Sequence, residues 1–286
     1  MTNFERKIIC AQCMGLCGGV KHALALFEQT RAALPADTVL YVLHELVHNR
    51  YVTSGMQVRN TAFITRADEL PCGATVIIGA HGLDLASEAQ LRERAGSVVD
   101  ATCPMVKRLQ HAAAELAPED DMVFYGCAGH PEVLGVISYS HSATPCRIVR
   151  TIEDIAALPE LHRPVLFCQT TLNSTGAEAL FTALRARFPQ ARRVSAVCNA
   201  SSERQNAVLQ MLPQIDALVV VGSANSSNAN RLREMGEAHG VPSWLIDDIA
   251  QLPESIYALT RIGITAGAST PPEQIEQIVN ALRQHK

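Results

Sequence analysis

Three cysteines in this chain recur at matched distances from a second repeated segment. Cys17, Cys103 and Cys198 stand 54, 56 and 55 residues before Pro71, Pro159 and Pro253, the prolines that close related stretches at 64–71, 152–159 and 246–253. Three thiolates, one from each copy, suit a metal centre better than a disulfide, which uses two. Zinc wants a fourth protein ligand or a water. An iron–sulfur cube generally takes four cysteines, and held by three it leaves one iron open to a substrate. Polar groups in the same repeats point to an anionic ligand. Ser226, Ser227, Asn228 and Ser269, with imidazoles and the N–H groups of helix starts, form an anion cradle, and Lys and Arg are few around it. Glu132, two residues after His130, is the carboxyl in reach for proton delivery.

Strands and helices must position these groups. Apolar residues suited to a buried strand precede each cysteine: Ile8-Ile9, Val98-Val99, and Val194 with Val197. A helical pattern follows each: Val20, Leu24 and Phe27; Met105, Leu109, Ala112 and Leu116; Val208, Met211 and Leu212. Pro104 fits a first helical turn and Pro213 ends the third helix. Each cysteine is therefore expected near a helix N-terminus, where the macrodipole favours a thiolate. Every repeat holds two further strand-to-helix junctions. They run from 39–43 and 76–78 to His44 and His81, from 122–125 and 165–167 to His130 and Thr170, and from 218–221 and 262–264 to Ser226 and Ser269. Alternating strands and helices imply parallel α/β sheets, which bind ligands at the carboxyl ends of strands. The expected architecture is three similar α/β lobes, 1–102, 103–197 and 198–286, in a pseudo-threefold arrangement around a central site.

Composition narrows the classes. With 286 residues, 48% of them hydrophobic and 18% charged, the chain is globular and too long for one ordinary domain. A net charge of −4 and 5% aromatics argue against nucleic acid as a partner. No apolar run is long enough to span a bilayer. Arg6-Lys7 before Ile8-Ile9-Cys10-Ala11 faintly resembles a leader, but Gln12 and glycines interrupt it, and nine cysteines fit a reducing cytoplasm. Cys10 and Cys13 are read as packing in or beside the first strand. Cys72, Cys127, Cys146 and Cys168 are read as structural, with Cys127 near the pocket, and His44 as orienting its loop.

Eight segments, in order, carry a family resemblance. They are residues 15–20 (G-L-C-G-G-V), 44–50 (H-E-L-V-H-N-R), 80–82 (A-H-G), 100–104 (D-A-T-C-P), 129–132 (G-H-P-E), 169–172 (Q-T-T-L), 222–231 (G-S-A-N-S-S-N-A-N-R) and 265–269 (T-A-G-A-S). The chain resembles the LytB-type 4-hydroxy-3-methylbut-2-enyl diphosphate reductases over nearly its whole length. The resemblance implies a trefoil-like fold with a [4Fe–4S] cluster on Cys17, Cys103 and Cys198 and one open iron. It implies that His48, His81, Ser226, Ser227, Asn228 and Ser269 hold the diphosphate, with His130 near the substrate. Thr170 and Glu132 would form the proton path, and the products would be isopentenyl and dimethylallyl diphosphate. An external reductant such as ferredoxin or flavodoxin is implied, since no nicotinamide fingerprint is present. The chain departs from the family pattern at Met14-Gly15-Leu16-Cys17 (usually R-G-F-C), at Ser201-Ser202-Glu203-Arg204-Gln205 (usually T-T-N-R-Q), and at Cys168, where Thr is common. It also ends 17 residues after Ser269, sooner than many relatives. The rival readings are a paralogue reducing another allylic diphosphate, a non-catalytic iron–sulfur or zinc redox sensor, and a cluster-free diphosphate transferase.

Overall fold

The computed structural model describes residues 6–172, 174–194 and 198–284. Along the chain run β1 (Lys7–Cys10), α1 (Gly18–Ala33), β2 (Leu40–Leu43), α2 (Arg50–Gln57), β3 (Thr61–Ile64), β4 (Thr75–Ile78), α3 (Leu85–Arg94), β5 (Ser97–Asp100) and α4 (Pro104–Ala114). The middle section holds β6 (Asp121–Tyr125), α5 (Pro131–Ser138), β7 (Arg147–Val149), α6 (Ile152–Ala156), β8 (Pro164–Cys168), α7 (Ser174–Arg187) and β9 (Arg192–Arg193). Then follow α8 (Asn199–Met211), β10 (Ala217–Val221), α9 (Ser227–Ala238), β11 (Ser243–Ile246), β12 (Arg261–Ala266) and α10 (Pro272–Gln284).

The strands form three four-stranded sheets, ordered β3-β2-β4-β5, β7-β6-β8-β9 and β11-β10-β12-β1. Every pairing is parallel. Each sheet thus repeats one order, with β1 holding in the third the place that β5 and β9 hold in the others. β1 falls within the 1–102 stretch of the sequence, yet it pairs with β12, residue for residue from Lys7↔Arg261 to Cys10↔Ile264. The open edge of β12 is closed by the far end of the chain, and Cys17 follows that edge strand as Cys103 follows β5 and Cys198 follows β9. Val197, expected beside Val194 in the strand before Cys198, lies outside the described residues.

Two compact units divide the chain. Met1–Val20, Val47–Met56 and Asn199–Lys286 make the first, which carries the β11-β10-β12-β1 sheet. Lys21–Leu46 and Gln57–Cys198 make the second, which carries the other two sheets.

Burial explains why the central strands are apolar at nearly every position. β6, β8 and β10 are buried throughout, as parallel strands covered on both faces must be. Alternate residues serve opposite cores. Met122, Phe124, Val165 and Phe167 pack on one side, and Val123, Tyr125, Leu166 and Cys168 on the other. In the first unit Val219, Val221, Ile262 and Ile264 oppose Leu218 and Val220 in the same way.

The junctions after the strands need special backbone. His44, directly after β2, has a positive φ of 61°, a conformation that non-glycine residues rarely adopt. A Cβ on Gly79 would stand 2.1 Å from the Glu45 carbonyl oxygen, so only glycine allows the end of β4 to meet that loop. Among the described residues no helix is long and apolar enough to cross a membrane.

Candidate active site

The three repeated cysteines are anchored by one device. The amide of Cys103 donates to the Ala80 carbonyl at 2.9 Å, that of Cys198 to Thr170 at 3.1 Å, and that of Cys17 to Ala268 at 2.9 Å. Each acceptor lies two residues beyond the end of the strand that holds the third place in its sheet, β4, β8 or β12. Each cysteine directly precedes a helix: α4, α8 or α1. All three are free thiols of intermediate exposure. Cys17 Sγ accepts from the Val20 amide at 3.5 Å, occupying the start of α1 as a cap does. Cys103 is the N-cap of α4, with Pro104 in the first turn, as the sequence led us to expect.

In the second unit, Glu132 and Thr170 meet. Glu132 is 1% exposed. Its Oε1 accepts from the Thr170 amide at 2.7 Å and its Oε2 from the Thr170 hydroxyl at 3.0 Å. His130 is the N-cap of α5, and its Nδ1 accepts from the Glu132 amide at 3.1 Å. In the neutral ring that bond leaves the proton on Nε2. The rings of His81 and His130 meet edge to face, with centroids 5.8 Å apart. Because the Cys103 amide is tied to Ala80 and that of Cys198 to Thr170, the two thiols share backbone with the His81 and Thr170 loops. Gln169 completes the arrangement by accepting from the Cys127 amide at 3.0 Å.

In the first unit, the loop after β12 meets the start of α9. Ser226, the N-cap of α9, accepts from the Ala229 amide, so its hydroxyl proton is free for an anion. Asn228 Oδ1 accepts from the Ala268 amide at 3.0 Å. Its Nδ2 is buried and has no partner among the described residues. Ser269 donates to the His48 carbonyl at 2.8 Å and so ties the His48 segment to the loop that carries Cys17's acceptor. Ser227 occupies the first turn of α9, beside Asn228. The buried amide nitrogen, the cap hydroxyl and the helix start are hydrogen-bond donors that can receive an anion without lysine or arginine.

Two residues outside the sequence expectation support this site. Asn49, wholly buried, accepts from the Val52 amide and donates to Gln274 at 3.0 Å, so it fixes the backbone behind His48. Ser223 accepts from the Arg50 amide at 2.8 Å and holds the other side of that segment. Both lie inside the motif segments, but a polar residue facing inward cannot be told from one facing a ligand by type alone.

The remaining thiols behave differently. Burial pushes the Cys168 and Cys146 thiols up to about 12, and it also raises Cys10, with Arg283 opposing. Cys168 closes β8 with no exposed surface. Iodoacetamide at pH 8 is therefore expected to spare Cys168 in the native protein and to label it after unfolding in guanidinium, as read by peptide mass mapping. Labelling of native Cys168 at the pace of a free thiol would contradict this burial.

Three cysteine thiols, each at a helix start, are the donor type that iron–sulfur clusters take. Among the described residues no three His, Cys, Asp or Glu side chains are grouped to hold one metal ion.

The family model described as LytB protein matches residues 8–283. The 4-hydroxy-3-methylbut-2-enyl diphosphate reductase of Ralstonia nicotianae is 36% identical over 289 residues, covering 99% of this chain and 88% of that protein. The reductase of the same name from Bordetella pertussis is 38% identical over 291 residues, covering 99% and 88%. The solved structure of the E-1-hydroxy-2-methyl-but-2-enyl-4-diphosphate reductase from Plasmodium falciparum superposes with a TM-score of 0.89 at 26% identity, covering 97% of this chain and 88% of that one. A second structure, titled (E)-4-hydroxy-3-methyl-but-2-enyl diphosphate reductase, the terminal enzyme of the non-mevalonate pathway, gives a TM-score of 0.67 at 30% identity, covering 98% and 100%.

Proposed function

The chain belongs to the LytB protein family, and from that premise we propose that it is a 4-hydroxy-3-methylbut-2-enyl diphosphate reductase. The reaction breaks the allylic C–O bond. Two electrons and two protons enter, the hydroxyl leaves as water, and isopentenyl and dimethylallyl diphosphate remain. The observation that best supports this reading is the threefold anchoring of Cys17, Cys103 and Cys198 on equivalent carbonyls.

These three thiols would hold a [4Fe–4S] cluster. When bound, that group supplies the electrons and, at the iron without a cysteine, a Lewis acid for the substrate hydroxyl. The chain's own groups supply the rest. Ser226, Ser227, Asn228 and Ser269, with His48 and His81, take the diphosphate and fix the allylic end. Glu132 holds the proton for the leaving hydroxyl and passes it through the Thr170 hydroxyl, to which it is already hydrogen-bonded. His130 orients the Glu132 segment through its Nδ1 and presents its Nε2 proton to the substrate. An external one-electron donor of the ferredoxin or flavodoxin type completes the supply of electrons, and the cytoplasm is the compartment that suits nine free thiols.

Anaerobically prepared protein is expected to hold ~4 irons per chain. With dithionite and methyl viologen it should turn over the diphosphate many times, and iron-free protein should not. Activity that survives removal of iron would overturn this reading in favour of a cluster-free transferase. Tight diphosphate binding without turnover would overturn it in favour of a sensor.

A further inference from the structure

Arg204 carries a buried positive charge that no acidic side chain of the described residues offsets. It lies in α8 and is 3% exposed. Among the described residues its guanidinium hydrogen-bonds only to main-chain carbonyls: Nε and Nη2 donate to Gly15 at 3.1 and 2.6 Å, and Nη1 to Ala200 at 2.5 Å. Glu203 beside it in sequence is exposed. A buried charge without a counter-ion is costly, and carbonyl dipoles offset only part of that cost.

Arg31 shows how the fold satisfies such a charge without an anion. It is also buried and bonded to carbonyls, those of Leu34, Pro35, Thr38 and Asn60, but it sits in the last turn of α1, where the helix dipole favours a cation. Arg204 lies in the second turn of its helix, toward the end where the dipole opposes one. The helix does not account for it.

What Arg204 holds is the segment leading to Cys17. Gly15 has a φ of 75°, and a Cβ there would meet Ile275 at 3.1 Å and the Thr270 carbonyl at 3.2 Å. The amides of Gly15 and Cys17 donate to Ala266 and Ala268 at 3.4 and 2.9 Å. The Gly15 carbonyl receives the guanidinium. The ligand loop is thus fastened to the strand end by its amides and to a fixed cation by its carbonyl.

We propose that Arg204 is the resident counter-charge of the cluster, positioning Cys17 through Gly15 and raising the cluster's reduction potential. This rests on the reading of Cys17 as a cluster ligand. Reduction adds an electron to a group already bearing thiolates, and a cation held in a low-dielectric interior stabilises the more negative state. Nearby charge is one of the terms that set cluster potentials.

Arg204→Met removes the charge while keeping apolar bulk, and Arg204→Lys keeps the charge while giving up the fork on Gly15. Anaerobically loaded proteins are titrated with dithionite in the presence of mediators and followed by EPR. The midpoint of Arg204→Met is expected to fall by at least a tenfold change in the one-electron equilibrium, 59 mV, and that of Arg204→Lys by less than half as much. Should the methionine variant fail to fold by circular dichroism, Arg204→Gln, which retains a donor for Gly15, is held to the same expectation. An uncharged variant with the parent's midpoint, or a lysine variant that moves as far as the uncharged one, overturns this proposal alone. A parent protein that accepts no iron on reconstitution takes down the cluster reading and this proposal with it.

Discussion

Glu132→Gln is expected to lower turnover of the allylic diphosphate by about 10²- to 10⁴-fold while the cluster spectrum and substrate affinity stay those of the parent. The two contacts of Glu132 explain the separation. A glutamine side-chain oxygen can still accept the Thr170 amide now bonded at 2.7 Å, so the loop after β8 keeps its place. The second contact changes character, because an amide NH₂ faces the Thr170 hydroxyl in place of a carboxylate oxygen and cannot release a proton to it. The amides of Cys17, Cys103 and Cys198 are held by backbone carbonyls, so ligation is expected to be untouched. A structural role for this buried carboxylate would instead lower Tm and iron content together. Anaerobic kinetics with dithionite and methyl viologen, beside the EPR spectrum of the same sample, decide the matter. Parent-like turnover in this variant would remove Glu132 from the proton path.

The sequence revealed the strands that carry apolar runs, including the edge strands β1 and β5 at Ile8-Ile9 and Val98-Val99, and concealed β3, β7 and β11. Residues 39–43, 76–78, 122–125, 165–167, 218–221 and 262–264 read as strands, and apart from Val39, which precedes β2, all lie in β2, β4, β6, β8, β10 or β12. These are the inner strands, and burial on both faces writes itself into composition. β3, β7 and β11 sit at sheet edges. They are only three or four residues long and carry Thr, Arg or Ser, so their pattern does not separate them from loop. Yet the repeats at 64–71, 152–159 and 246–253 mark where they end, because each begins at or just past one of these strands. The partner of β1 was beyond reach for another reason. Pairing of Lys7 with Arg261 is a contact between opposite ends of the chain, and local pattern holds no information about it.

The candidate site divides along the same line. Residue types and offsets brought out Cys17, Cys103 and Cys198, and the helix starts after them follow from Pro104 and the apolar spacing. The carbonyls that anchor the three cysteines belong to Ala80, Thr170 and Ala268, and a backbone acceptor leaves no mark in side-chain chemistry. Arg204 was visible only as part of a familiar segment. Its importance comes from burial and from the absence of an acidic partner, which are properties of packing. Likewise the orphaned nitrogen of Asn228 could not be foreseen from Ser226-Ser227-Asn228, which serves equally well as a helix cap.

That nitrogen supports the second large effect, in Asn228→Asp. The replacement is nearly isosteric, and one carboxylate oxygen can still accept the Ala268 amide bonded at 3.0 Å. The other oxygen replaces the unpartnered N–H donor with a negative charge. Asn228 lies in the first turn of α9, where the helix dipole favours an acidic residue, but it is 3% exposed, and burying the new charge is expected to lower the Tm of the free protein. Diphosphate binding by the folded variant should weaken as well. A donor lost and an anion set against an anion cost about 3 kcal/mol, roughly a 100-fold rise in Kd. Inorganic diphosphate titrated calorimetrically into parent and variant, at a temperature where the melting curves show both folded, tests this. If Asn228 were only part of a helix cap, the affinity of the folded variant would stay that of the parent, and an aspartate variant that binds diphosphate as the parent does would place the anion elsewhere.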